Sequence, residues 1–307
     1  MSHESLQIES QQVEQPVEPK LAVRVRAAIG YLKTVLITLL VALVLKAFVI
    51  EAFRIPSSSM ERTLLVGDFL LVNKLAYGIR TPRFIPLTNF AVSTMYLPVF
   101  KNVQRGDVVV FEFPGNGESA ETEEPVNYIK RCIGLPGDVV EIHDGQVYIN
   151  SSPQGLPRNA QLSESNGRSS HYRSRLFPWG AGFTEQHYGP LVVPKKGDQL
   201  ELTIENLSMW RSLILRDGHT VELGEGSRII VDGVPAQSYT VEQNYYFVMG
   251  DNRDNSLDSR YWGFVPEDNL IGEALMVYWS WDPDVAVSNL KDKLLSIRWK
   301  RVGTMIR

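Results

Sequence analysis

The run TVLITLLVALVLKAFVI, residues 34–50, constrains this chain more than any other stretch. It has about the length that a helix needs to cross a bilayer core. Only Lys46 interrupts it, one turn from the end, where its stem can snorkel to the headgroups. A buried soluble helix would not normally be apolar all round, so a membrane anchor is the better reading. Lys20, Arg24, Arg26 and Lys33 lie at or before its start. The positive-inside rule then predicts a cytoplasmic N-terminus and everything after Ile50 on the outer side. A cleaved signal peptide would need a small-x-small site after the apolar run, and Phe48-Val49-Ile50-Glu51-Ala52-Phe53 has none. An uncleaved, single-pass anchor over 31–50, after a polar cytoplasmic tail at 1–30, is expected.

Composition narrows the rest. A chain of 307 residues with 44% hydrophobic content holds one good-sized globular unit or two smaller ones, and no bundle of spans. A net charge of −4 argues against a nucleic-acid partner. The single cysteine, Cys132, excludes an internal disulfide.

Beyond the anchor the pattern turns to strands. Asp68–Val72 and Asp107–Phe113 are β-branched and aromatic runs opened by Gly-Asp turns at Gly67-Asp68 and Gly106-Asp107. Val126–Ile133 is a third. His143-Asp144-Gly145 and Asp232-Gly233 mark two hairpins. Tyr245–Met249 and Ala274–Trp279 complete the set, and together they predict a mostly β fold, a barrel or sandwich of short strands. Residues 151–228 are richer in Ser, Gly and Arg and predict an inserted smaller subdomain, with one amphipathic helix near Glu205–Arg216 presenting Leu207, Trp210, Leu213 and Ile214. The core is thus expected in two parts, 51–150 and 229–281. Residues 282–307 read as a basic C-terminal tail, solvated or lying on anionic lipid. Trp279 and Trp281 suit either a core or a membrane interface.

Three segments carry candidate chemistry. Arg54-Ile55-Pro56-Ser57-Ser58-Ser59-Met60 offers a serine just after the anchor, although such a run also suits a plain turn. A serine hydroxyl is a poor nucleophile until a base takes its proton. Lys130 lies inside the apolar strand Val126–Ile133 and shares a face with Tyr128 and Cys132. Burial there disfavours the ammonium and makes the amine a possible base; a snorkelling surface lysine is the plainer reading. Gly250-Asp251-Asn252-Arg253-Asp254-Asn255-Ser256-Leu257-Asp258-Ser259-Arg260 forms a charged, structured loop braced by an Asp258–Arg260 pair. It lacks the pattern of a calcium loop, because Arg253, Ser256 and Trp262 stand where ligands or the turn glycine belong. The five histidines fall in no catalytic signature, and Cys132 reads as a small core residue.

These segments, with Thr63-Leu64 and Gly134-Leu135-Pro136-Gly137-Asp138, resemble the boxes of bacterial type I signal peptidase in the family's order. The resemblance covers roughly residues 31–150 and 229–281. It implies a signal-peptidase-type antiparallel β-fold and a serine endopeptidase that removes signal peptides from exported preproteins after an Ala-x-Ala-like site. Ser59 matches the nucleophile and Lys130 the general base. The Ser59 N–H and the Ser57 hydroxyl match an oxyanion hole, Ser256 and Asp258 match groups that orient the lysine, and Arg260 matches the partner of that aspartate. Phe53, Ile55, Pro56, Met60, Leu64, Tyr128 and Ile129 map onto shallow pockets for small side chains. No metal or cofactor is implied. The partners implied are preproteins, the lipid bilayer and the protein-export machinery, at a bacterial inner membrane. The sequence departs from the pattern at Ser58, commonly Gly, and at Arg62, where a proline often precedes the threonine.

Overall fold

In this computed structural model residues 20–80, 96–97, 101–115, 126–157 and 176–306 are described. The chain divides into two units, residues 1–46 and 47–307. The first contributes nearly all of helix α1, Lys20–Phe48. Its segment Arg24–Phe48 is, among the described residues, the one helix long and apolar enough to cross a membrane. Leu32, Val35, Leu36, Leu39 and Leu40 are all exposed on it, as expected of a helix whose surroundings are hydrocarbon.

The second unit is built on one antiparallel sheet. Its strands are β1 Ile50–Arg54, β2 Asp68–Asn73, β3 Val108–Glu112, β4 Asn127–Gly134, β5 Tyr245–Met249, β6 Val265–Pro266, β7 Leu270–Ser280 and β8 Thr304–Met305. They run in the order β1-β2-β7-β3-β4-β5-β6, and β8 pairs with β7. At β3 and β5 neither face is solvated, so these two strands read as near-continuous apolar runs. Alternate residues of β3 show this: Val108 joins a cluster with Ile55, Met60, Leu64, Leu70 and Val277, while Val109 and Phe111 join one with Cys132, Val248 and Trp262. Burying each such aliphatic side chain stabilises the fold by roughly 1.5–3 kcal/mol. Both Gly-Asp strand openings are formed, with φ of 91° at Gly67 and 92° at Gly106. A Cβ at Gly67 would stand 2.2 Å from the Trp281 carbonyl, so only glycine fits there.

The two hairpins appear with positive φ at both turn residues, Asp144-Gly145 and Asp232-Gly233. A second sheet orders Tyr188–Val192, Val139–His143, Gln146–Ile149 and Ser152–Pro153. It therefore knits residues from both sides of position 150, where the sequence suggested a boundary between core and insertion. Helix α2, Leu207–Arg216, occupies the expected amphipathic stretch. Leu207, Leu213 and Ile214 enter a cluster with Val140, Tyr245 and Phe247, and Trp210 packs against it. Arg216 ties the helix to the rest through the carbonyls of Pro114, Phe264 and Trp262 at 3.1, 3.0 and 3.2 Å.

Residues 282–306 differ from the tail expected. They form helix α3, Leu290–Leu295, and return as β8, which pairs with β7 at Met276 and Val277. The basic residues account for it. Arg301 donates to the buried Asp68 carboxylate, with Nε 2.9 Å from Oδ1, and Arg298 donates to the Val66 carbonyl at 2.9 Å. Charge that suggests a solvated tail here serves internal pairing. Trp279 packs edge-on against both Trp281 and Trp299; Trp299 is 66% exposed.

Candidate active site

Ser59 lies in the turn that links β1 to β2. The turn is closed by backbone bonds from Glu61 N to Ser58 O, 2.9 Å, and from Leu64 N to Met60 O, 2.7 Å. Ile55, Met60 and Leu64 anchor it beneath, each 2% exposed or less. Phe53, Tyr128 and Ile129 are half-buried, and Pro56 is exposed. Arg62 has φ 71°, a backbone conformation closed to proline. Its departure from the family pattern thus coincides with a turn that proline could not enter.

Lys130 comes from β4, opposite Val109 of β3 in the ladder. Its amine donates to Ser59 Oγ at 2.7 Å and to the Ile129 carbonyl at 3.1 Å. Residues 71 positions apart in sequence thus meet in one hydrogen bond. Lys130 is 4% exposed, with its nitrogen 5.3 Å from the centre of the Tyr128 ring. Burial lowers its pKa from 10.5 to about 8, against the opposing pull of the Asp258 charge. Ser57 Oγ stands 3.5 Å from Ser59 Oγ.

The charged loop braces the Ser59 turn, and its Asp258 acts on Lys130 only through charge. Asn252 N–H donates to the Ser59 carbonyl at 3.1 Å, and Asn252 Nδ2 donates to the Ser58 carbonyl at 3.2 Å. Asn255 Nδ2 donates to Ser58 Oγ at 2.9 Å, a contact that a glycine at 58 could not make. Asp258 is fully buried and grips Arg260 through both oxygens at 2.9 Å. Burial works against its charge, but the Arg260 charge and the hydrogen bonds from Arg260 and Gly250 together outweigh that, holding the carboxyl below its usual range. Gly250 N–H donates to the same carboxylate at 3.0 Å. A Cβ at Gly250 would fall 2.2 Å from Ser256 Oγ and 2.5 Å from the Ser59 carbonyl, so glycine is required where the two loops touch. Ser256 is buried beside this contact, and its hydroxyl makes no hydrogen bond to Lys130.

Sequence reasoning assigned no role to Asp251, Arg131 or Thr63. Arg131 Nε and Nη2 hold the two Asp251 oxygens at 2.8 and 2.6 Å, and Thr63 Oγ1 donates to Asp251 at 2.6 Å. All three are buried. The signal available was an arginine beside Lys130, on the opposite face of an apolar strand, which needs a carboxylate when buried. The histidines of the described residues lie elsewhere; His219, for example, pairs at the surface with Asp232 and Glu242.

A serine hydroxyl bonded to a desolvated amine, on a mostly β framework, has the equipment of a hydrolase that attacks through oxygen without a histidine. The family model for signal peptidase, peptidase S26, matches residues 28–279, and the chain belongs to that family. A signal peptidase I of Buchnera aphidicola is 34% identical over 85% of this chain and 77% of its own length. One of Pseudomonas aeruginosa is 34% identical over 90% of this chain and 79% of its own. A solved signal peptidase I of Enterococcus faecalis is 25% identical and covers 56% of this chain and 97% of its own, with a TM-score of 0.28.

Proposed function

We propose that this enzyme removes N-terminal signal peptides from exported preproteins, with Ser59 as nucleophile and Lys130 as general base. The observation that carries the reading is the 2.7 Å contact between Lys130 Nζ and Ser59 Oγ, made by an amine that burial brings to a pKa of about 8. The neutral amine takes the Ser59 proton as Oγ attacks the scissile carbonyl carbon. That proton passes to the leaving amine as the C–N bond breaks, and a serine ester remains. Water then attacks the ester, giving a proton to the same amine, and Ser59 recovers its hydrogen when the carboxyl product leaves. The Ser59 N–H and the Ser57 hydroxyl stabilise the oxyanion, a contribution of a few kcal/mol in such sites. The Asp258–Arg260 pair, with Ser256 next to it, keeps the loop and hence the Ser59 turn in place. Phe53, Pro56, Tyr128 and Ile129 supply the walls, over a floor of buried Ile55, Met60 and Leu64, that restrict the positions one and three residues before the cut to small side chains.

Helix α1 attaches the enzyme to the inner membrane, with the basic cluster on the cytoplasmic side and the catalytic unit outside. We read residues 151–228 as an insertion whose strands Ser152–Pro153 and Tyr188–Val192 are joined to the hairpin of residues 139–149. Purified full-length protein in detergent, given a preprotein with an Ala-x-Ala site, tests the assignment. Wild type cuts at that site, and Ser59→Ala and Lys130→Ala do not. Equal cleavage by all three removes the dyad from the reaction.

A further inference from the structure

Apart from the Ser59–Lys130 contact, the second unit contains a cavity of about 950 Å³ walled by Arg62, Arg105, Arg131, Arg253 and Arg301. Among the described residues no aspartate or glutamate lines it. Three of these arginines have carboxylate partners behind the wall: Arg105 with Asp138, Arg131 with Asp251 and Arg301 with Asp68. The other two give the wall its excess charge. Arg62 is exposed at the mouth. Arg253 is 4% exposed, and its Nε and Nη1 have no hydrogen-bond partner. Burial and then the nearby Arg260 charge lower its pKa to about 10, so its environment resists the charge it carries. A buried guanidinium with unmet donors is costly, and the charge of an anion in the adjoining cavity offsets part of that cost. Guanidinium groups pair with phosphate oxygens through short, directed bonds. The volume far exceeds one phosphate, and Leu156, Met305 and Ile306 give part of the wall an apolar character.

We propose that this cavity binds a phosphate-bearing ligand, with the phosphate read by Arg62 and Arg253 and the organic remainder held along the apolar side. The ligand is either a soluble phosphate or the headgroup of an anionic phospholipid. The site is separate from the proposed dyad, and binding does not depend on cleavage.

The test uses the full chain and its thermal unfolding midpoint in two arms. In detergent, sodium phosphate replaces sodium chloride at constant ionic strength. In nanodiscs, phosphatidylglycerol replaces phosphatidylcholine. The expected result is a saturable rise of the midpoint in at least one arm. A rise with phosphate identifies a soluble phosphate; a rise with phosphatidylglycerol alone identifies the lipid headgroup. Arg62→Gln removes one reader at the exposed mouth, and Met305→Glu places a carboxylate at a residue that is 55% exposed, so neither threatens the core. Each raises the concentration or lipid fraction for half-effect about tenfold. No rise beyond the chloride and phosphatidylcholine references, or a rise that both variants leave unchanged, overturns the proposal.

Discussion

Two lysines of this protein are equally buried and differently employed. Lys130 is 4% exposed and Lys293 is 3% exposed. Lys293 donates to the carbonyls of Asp282 at 2.6 Å and Val285 at 2.8 Å and lies 4.7 Å from the centre of the Trp281 ring. Every one of those partners can only receive. Lys130 has one such carbonyl, and its other partner is a hydroxyl, which has a proton to give. Burial alone therefore does not identify a base; the partner's chemistry does.

The largest expected effect breaks or upholds this contrast directly. Lys130→Ala lowers preprotein cleavage by about a thousandfold or more, the scale for losing a member of a nucleophile–base pair. Lys293→Met leaves the cleavage rate near wild type. Initial rates with circular dichroism on both variants decide the matter, and equal losses in two folded proteins would end the distinction. In wild type the rate rises with pH through about 8, because only the deprotonated Lys130 accepts the Ser59 proton.

Asp258 sharpens the contrast, because it is the charge that opposes the depression of Lys130. Asp258→Asn strips Arg260 of its buried counterion and destabilises the protein by about 3–5 kcal/mol. Without the negative charge the ammonium is less favoured, so Lys130 titrates lower and the acid limb of the rate profile moves to lower pH. A limb that stays at its wild-type position in the folded variant removes Asp258 from the electrostatics of the base.

Much of this arrangement was legible in the sequence. The apolar run, the strand runs opened by Gly-Asp, the two hairpins and the helix near 205–216 follow from local patterns, because periodicity and turn chemistry are local properties. By chemistry alone Ser59 and Lys130 read as readily as a plain turn and a snorkelling lysine; the resemblance singles them out, and the fold brings them together. What the sequence concealed is pairing across distance. Arg131, Thr63 and Asp251 form one buried unit, yet each reads alone as an ordinary polar residue. Arg298 and Arg301 looked like tail charges because their partners, the Val66 carbonyl and Asp68, stand more than 200 positions away. The sheet joining Val139–His143 to Tyr188–Val192 crossed an expected boundary for the same reason.

Lys130 also carries a stability signature that Lys293 provides a control for. Its folded pKa of about 8 lies below the ordinary 10.5. The unfolded chain thus binds more protons between those values, and stability rises with pH across that window. Below about pH 8 the folded state bears the full cost of a buried ammonium, roughly 3 kcal/mol. Lys130→Met removes that cost, so at pH 7 the inactive variant is more stable than wild type by ~2–3 kcal/mol, and the gain disappears towards pH 10.5. Urea unfolding at pH 7 and pH 10 measures it. A variant less stable than wild type at both values would mean that the Ser59 contact stabilises more than burial of the charge costs.

The smallest effect comes from the other lysine. Lys293→Met keeps the buried stem but leaves the carbonyls of Asp282 and Val285 without their donor. An unmet buried acceptor costs about 1–3 kcal/mol, so the expected change is a loss of stability of that size, opposite in sign to the effect at Lys130. The loss should be local. Lys293 holds the segment between β7 and α3, so hydrogen exchange should quicken at the backbone amides of 282–296 before any change at β4. Stabilisation by methionine at both positions would show that desolvation dominates at each. The separation drawn from their partners would then fail on stability, even if it survived on cleavage.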